Sequence, residues 1–404
     1  MQTDFQRIKR LPPYVFEEVN RLKAEARARG DDIIDFGMGN PDMPTPAHIV
    51  EKLIETARDP RASRYSASRG IRGLRRAMAG YYLRRFGVKL DPDSEVIATL
   101  GSKEGFANLA QAITSPGDVV LVPNPAYPIH AYGFIMAGAA IRHVPATTPE
   151  EFLSRAGIAV RHSSPKPLAI VVNYPSNPTA QMVDLDYYKE VVAFAREHEM
   201  WVLSDLAYAD TYFDDARKPP SILQVEGAKD IAVEFQSLSK TYAMPGWRMG
   251  FAAGNRLLIA ALTRIKSYLD YGAYTPIQVA AAAALNGPQD CAAEIRGIYK
   301  ARRDVLVKSM AQAGWTIPSP PATMFAWAPI PEAFRDVGSM EFAKRLLIEA
   351  KVAVSPGVGF GEYGEGYVRI AMVENEQRIR QAARSVKRFL GNIGKNQPVL
   401  ESAK

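Results

Sequence analysis

The chain has 404 residues, 47% of them hydrophobic, enough to bury one large core or two modest ones. Its 50 Lys and Arg and 43 Asp and Glu leave a formal charge of +7, with both signs mixed along most of the sequence, so a mildly basic surface is expected. The single cysteine, Cys291, excludes an intrachain disulfide, and the five histidines lack the close pairing of metal sites, so no metal is expected.

Residues 1–10 are polar and charged, and no run of about 18 apolar residues occurs, so a soluble cytoplasmic protein without a membrane span is expected. Leu11-Pro12-Pro13-Tyr14-Val15-Phe16 carries two prolines and bulky apolar side chains and reads as an extended packed arm. The densest basic stretch, Arg61 to Arg85, raises the question of a nucleic-acid patch. Leu74, Met78 and Tyr82 run between its arginines at helical spacing, which points instead to an ordinary amphipathic helix and to no nucleic-acid partner.

From about Glu95 to Gly254, β-rich runs alternate with helix-length segments, the rhythm of an α/β layer with a mostly parallel sheet. The expected strands are Val96–Leu100, Val119–Val122, Leu168–Val172, Trp201–Ser204, Ala232–Phe235 and Met249–Ala252. Ligands of open α/β sheets bind beyond the carboxyl ends of the strands. The loops opening at Gly101, Pro123, Asn173, Asp205 and Ser237 should therefore converge. After about Asp290 a long charged helix, Ile295–Ala311, introduces short strands and helices ending near Leu390. The expected division is an arm and part of a small domain in 1–45, a large domain in 46–290, a small α+β domain in 291–392 and a tail in 393–404.

Lys240 follows a buried strand, where a lysine is costly unless its charge is used or its pKa lowered, and a lowered pKa is what imine chemistry requires. Ser237, Ser239 and Arg248 beside it offer hydroxyls and a guanidinium that suit a phosphate ester. Asp205 ends an apolar run and needs a cationic or hydrogen-bonding partner: a protonated ring nitrogen, or a backbone amide in a helix cap. Gly101-Ser102-Lys103-Glu104-Gly105 precedes an expected helix, Phe106–Ile113, whose amino end would welcome an anion. Gly359-Phe360-Gly361-Glu362-Tyr363-Gly364 matches a dinucleotide-binding pattern but is followed by a strand-like run, so its glycines are read as a turn. Arg369 stands in that run and needs a carboxylate, either a substrate's or a structural one.

Ser237-Leu238-Ser239-Lys240 with Gly246-Trp247-Arg248, and the spacing of Asn177, Asp205 and Tyr208, resemble the fold-type I, class I/II aminotransferases over about Leu11 to Leu390. The resemblance implies pyridoxal 5'-phosphate as cofactor, a large domain with a mostly parallel sheet flanked by helices, and a smaller α+β domain. By it, Lys240 carries the cofactor as an imine and moves the proton, and Asp205 pairs with the pyridine nitrogen. Asn177 and Tyr208 bond the ring's phenolic oxygen, and Tyr127 stacks on the ring. Ser102, Lys103, Ser237, Ser239 and Arg248 surround the phosphate. Tyr65 reaches it from the neighbouring subunit, which implies a homodimer. Arg369 binds the substrate carboxylate with the backbone of Gly39 and with Asn177, and Tyr14 could lie over the substrate.

Leu11-Pro12-Pro13-Tyr14, Gly39-Asn40-Pro41-Asp42-Met43-Pro44-Thr45-Pro46 and Ser355-Pro356-Gly357-Val358-Gly359-Phe360-Gly361 are similar to bacterial alanine (glutamate–pyruvate) aminotransferases. That similarity implies ping-pong transfer from alanine to 2-oxoglutarate. An LL-diaminopimelate, aspartate or broad-specificity aminotransferase is the alternative, and a β-lyase the more remote one. A ligand sensor is the rival of another class, disfavoured by the presence of Lys240.

Overall fold

The computed structural model describes residues 5–12 and 15–392. Tyr14 and the tail, 393–404, lie outside the described residues. In chain order the strands are β1 (Ile34–Asp35), β2 (Val96–Thr99), β3 (Val119–Asn124), β4 (Ala140–Pro145), β5 (Pro167–Asn173) and β6 (Trp201–Asp205). They continue as β7 (Ala232–Ser237), β8 (Gly250–Gly254), β9 (Phe325–Pro329), β10 (Val352–Ala353), β11 (Ser355–Pro356) and β12 (Tyr367–Ala371).

Seven strands form one sheet in the order β2-β8-β7-β6-β5-β3-β4. From β7 to β4 all neighbours are parallel, whereas β8 runs antiparallel to both β2 and β7. Alternate residues feed two cores. Ile97, Val120, Val171 and Leu203 pack on one face, and Val96, Leu121, Ile170 and Val202 pack on the other. Burial on both faces is why these strands read as continuous apolar runs.

Sequence reasoning expected six of these strands and missed β4. The missing strand lies at the sheet edge, where Ala140, Arg142 and His143 are exposed, and an exposed edge carries polar residues that hide its strand character. The helix after Gly101 also starts earlier than expected, at Ser102 instead of Phe106. The helix around Leu74, Met78 and Tyr82 is Arg72–Phe86, and all three residues are buried. Three of its arginines, Arg75, Arg84 and Arg85, have internal partners. Buried Arg75 donates to the Pro92 carbonyl at 2.9 Å and to Asp93 at 2.7 Å, and Arg85 pairs with Asp210 at 3.1 Å.

The chain divides into two compact units. One holds the described part of Met1–Pro12 with Asn40–Gly297 and Pro321–Thr323, and the other the described part of Pro13–Gly39, Ile298–Pro320 and Met324–Lys404. In the second unit β1 pairs in parallel with β10, and β11-β12-β9 form an antiparallel sheet. The expected extended arm does not include Phe16, which opens helix Phe16–Ala28. That helix buries Val19 and Ala26 with Ile33, Leu347 and Ala353, so an apolar stripe overrode the extended bias of the two prolines. The glycines at 357–364 form two short 3₁₀ turns ahead of β12. A Cβ at Gly357 would overlap the Gly364 carbonyl, so the chain turns too tightly there for a side chain.

Candidate active site

Backbone register sets the site along one edge of the main sheet. Asn173 pairs across β5 and β6 with Asp205, and Asp205 across β6 and β7 with Phe235. Ser237 pairs with Gly250, and Gly250 with Thr99. Because β8 is antiparallel, its amino end lies at the edge where β2, β5, β6 and β7 finish. Arg248, just before β8, thus comes to the same edge as Ser102, which follows β2, and Ser237, which ends β7.

Asp205 is 6% exposed. Its Oδ2 lies 2.9 Å from Nε2 of His130, and its Oδ1 accepts the Ala207 amide at 3.1 Å. The first of these partners was absent from the sequence reading, and the second is the bond of a tight turn, since no helix follows Asp205 for it to cap. The His130 ring is fully buried, 5.2 Å from the Phe106 ring and 5.9 Å from that of Tyr127, and its Nδ1 has no hydrogen-bond partner. Nε2 is thus the ring nitrogen that bonds Asp205, donating when it carries the ring's proton. A second unforeseen residue, Asn173, ties neighbouring loops together. Its Nδ2 donates to the Asp205 carbonyl at 2.8 Å, and its Oδ1 accepts the Asn177 amide at 2.9 Å.

Ser102 opens helix Ser102–Ile113 after Gly101, whose φ of +84° favours glycine. The first amides of a helix have no partner within it and carry its positive pole. Arg248 itself sits at φ +53° and donates from Nη2 to the Leu100 carbonyl at 3.1 Å and from Nη1 to the Pro245 carbonyl at 2.9 Å. Its guanidinium is thereby fixed against the Gly101 turn. Ser237 caps the short helix Leu238–Thr241, its Oγ accepting the Ser239 amide at 3.2 Å, and Lys240 lies half-buried in that helix. Asn177 and Tyr208 are buried and Tyr127 half-buried.

Two further expected residues are carried by segments outside the main sheet. Tyr65 is 85% exposed, its ring 4.6 Å from that of Tyr271. In the second unit, Arg369 on β12 donates from Nη2 to the Gly37 carbonyl at 3.2 Å, and its guanidinium lies 4.1 Å from the Phe325 ring and 4.7 Å from the Phe360 ring. A Cβ on Gly39 would press within 2.6 Å of Phe325, so the backbone there approaches the guanidinium without a side chain between.

The family model of aminotransferase class I and II matches residues 31–386. The chain belongs to that family. Similarity to individual members extends over nearly the whole chain. The glutamate-pyruvate aminotransferase AlaC of Escherichia coli (strain K12) is 56% identical over 383 residues, 95% of this chain and 93% of that protein. An LL-diaminopimelate aminotransferase of Moorella thermoacetica is 43% identical over 388 residues, 96% of this chain and 98% of that one. The substrate-bound structure of BacF from Bacillus subtilis superposes with a TM-score of 0.90 at 35% identity, covering 96% of this chain and 98% of that chain.

This aminotransferase is thus an enzyme of the fold-type I α/β architecture, acting on amino acids and 2-oxo acids with pyridoxal phosphate as cofactor. The residues present fit that cofactor. A Cβ at Gly101 would overlap Arg248 Nη2, and one at Gly250 would come within 2.7 Å of the Ser102 amide nitrogen, so glycines alone keep this cradle of positive groups open. Asp205 is a buried carboxylate, a group whose chemistry suits pairing with a protonated ring nitrogen. No helix among the described residues is long and apolar enough to cross a membrane.

Proposed function

We propose that this enzyme transfers the amino group of alanine to 2-oxoglutarate, giving pyruvate and glutamate in two half-reactions of ping-pong order. The observation that carries the reading is the 56% identity with AlaC along almost the whole of both chains. When bound, pyridoxal phosphate supplies the electron sink for the pair left as a proton departs the substrate α-carbon. Lys240 Nζ takes up that proton and gives it back. Asp205, backed by His130, keeps the ring nitrogen protonated. Asn177 and Tyr208 orient the phenolic oxygen, and Tyr127 covers the ring. Ser102, Lys103, Ser237, Ser239 and Arg248 hold the phosphate. Arg369, with the Gly39 backbone and Asn177, receives the substrate α-carboxylate.

In this reading the enzyme is a cytoplasmic homodimer in which Tyr65 serves the neighbouring subunit's site. Supporting it, the stretch from Tyr268 to Tyr274 leaves Tyr268, Leu269 and Tyr271 exposed, and Tyr271 touches Tyr65. A monomer uncovering so much aromatic surface is unusual. LL-diaminopimelate is the second donor to consider, given the 43% identity with an aminotransferase of that name.

The test is a panel of amino acids, alanine and LL-diaminopimelate among them, offered with pyruvate or 2-oxoglutarate. The highest kcat/KM is expected for alanine with 2-oxoglutarate. A clear preference for LL-diaminopimelate or aspartate would replace alanine as the donor, and elimination without a 2-oxo acid would replace transamination.

A further inference from the structure

Lys266 belongs to helix Arg256–Leu269, and its side chain is fully buried. Its Nζ lies 2.7 Å from Glu104 Oε1 and 2.8 Å from Asp270 Oδ2. A buried ammonium is tolerated only when paired, and this one is paired twice.

Each carboxylate leads to a different loop. Glu104 stands in the first turn of helix Ser102–Ile113, and its Oε2 accepts the Leu100 amide at 2.9 Å. The carbonyl of the same residue, Leu100, accepts Arg248 Nη2 at 3.1 Å. The Leu100–Gly101 turn is thus gripped from one side by Glu104 and from the other by Arg248. Asp270, in turn, accepts the Gly272 amide at 2.6 Å through Oδ1, and its carbonyl accepts the Ser68 hydroxyl. Between those contacts lies Tyr271, packed against Tyr65.

Charge makes the arrangement consequential. Glu104 puts a carboxylate in the first turn of the helix whose amino end forms the cradle, where it would repel a phosphate. Lys266 offsets that charge and holds the carboxylate on the Leu100 amide.

We propose that Lys266 is a positioning residue: through Glu104 it fixes the Leu100–Gly101 turn in phosphate-binding form, and through Asp270 it joins that turn to the Tyr65–Tyr271 surface. The proposal rests on the reading that Ser102, Lys103 and Arg248 hold the cofactor phosphate.

Apo-enzyme titrated with pyridoxal phosphate, and separately with pyridoxal, gives the test through the quench of intrinsic fluorescence. Lys266→Met should weaken pyridoxal phosphate at least about tenfold, the loss of a buried charge-assisted contact, while leaving pyridoxal unchanged. Lys266→Arg should restore most of the loss. Should Lys266→Met fail to fold, Glu104→Ala reads the same link, since it removes the acceptor of the Leu100 amide, and Glu104→Gln, which keeps one, should bind nearly as the parent does. Equal losses for both ligands, or none for either, would overturn the proposal. A parent enzyme that binds pyridoxal phosphate no better than pyridoxal would instead overturn the assignment of the phosphate cradle.

Discussion

Nε2 of His130 sits 2.9 Å from Oδ2 of Asp205, the imidazole wholly buried and Asp205 nearly so. One consequence follows for a ring nitrogen opposite Asp205: the imidazole fixes the carboxylate's orientation. His130→Phe keeps the ring volume and removes the donor. The expected result is a fall in kcat of about tenfold, with the KM for the amino acid nearly unchanged, since loss of one buried hydrogen bond costs about 1–3 kcal/mol. Steady-state kinetics at saturating cofactor decide it, and an unaltered kcat would remove His130 from the account.

Gly101 gives a steric prediction. Its φ of +84° is strained for any side chain, and a Cβ there would overlap the guanidinium of Arg248. Gly101→Ala should therefore displace Arg248 from the Leu100 carbonyl and weaken pyridoxal phosphate by at least about tenfold, a misplacement of roughly 1.4 kcal/mol. Equilibrium dialysis of the apo-enzyme measures this directly. The overall fold should survive, because the overlap is with the far end of a side chain and not with backbone.

How far the site could be read beforehand depended on whether its chemistry was local. Lys240, Ser237, Ser239 and Arg248 were legible because they crowd one strand end and the segment after it. The direction of β8 was not, since an apolar run such as Gly250–Gly254 packs equally well either way up, and only its pairing with β2 and β7 brings Arg248 to the carboxyl edge. β4 was hidden by its exposed edge position. His130 was passed over as one of five scattered histidines, although it lies only three residues beyond Tyr127, at the start of helix Ile129–Ala137. Lys266 was not singled out, because nothing local in its helix signals burial, and its 2.7 Å contact with Glu104 comes from tertiary packing.

Arg369 donates to the Gly37 carbonyl and to the Ser355 hydroxyl at 3.4 Å, and its guanidinium packs on the rings of Phe325 and Phe360. A guanidinium stacked on aromatic faces presents a flat fork that an ammonium cannot reproduce. Arg369→Lys should raise the KM for amino acid and for 2-oxo acid together, by about 10- to 100-fold, because a bidentate charged pair contributes on the order of 1.5–3 kcal/mol. Cofactor affinity should stay within about twofold, an error margin of a few tenths of a kcal/mol. Loss confined to one of the two substrates would mean that Arg369 reads something other than their shared α-carboxylate.

Glu234 gives a prediction about stability rather than turnover. Its side chain is fully buried under β7 and accepts from Tyr82 Oη and Ser204 Oγ, each at 2.9 Å, from Ser221 Oγ, and from the Ile222 amide at 3.2 Å. Burial pushes its pKa up to about 7, and the four donors pull the other way without cancelling the effect. A carboxyl raised in the folded state binds its proton more tightly there than in the unfolded chain. The stability it lends is complete below the usual carboxyl range and is lost as the pH climbs through about 7, at about 1.4 kcal/mol for each unit of displacement. Glu234→Gln takes away the titration. Between pH 5 and pH 8 the parent's Tm should therefore fall relative to that of the variant, steeply up to about pH 7 and little beyond it. Calorimetric scans of both proteins at matched cofactor occupancy provide the measurement. A gap that stays constant across that range would show that Glu234 keeps its charge throughout, with the hydroxyl and amide donors outweighing burial.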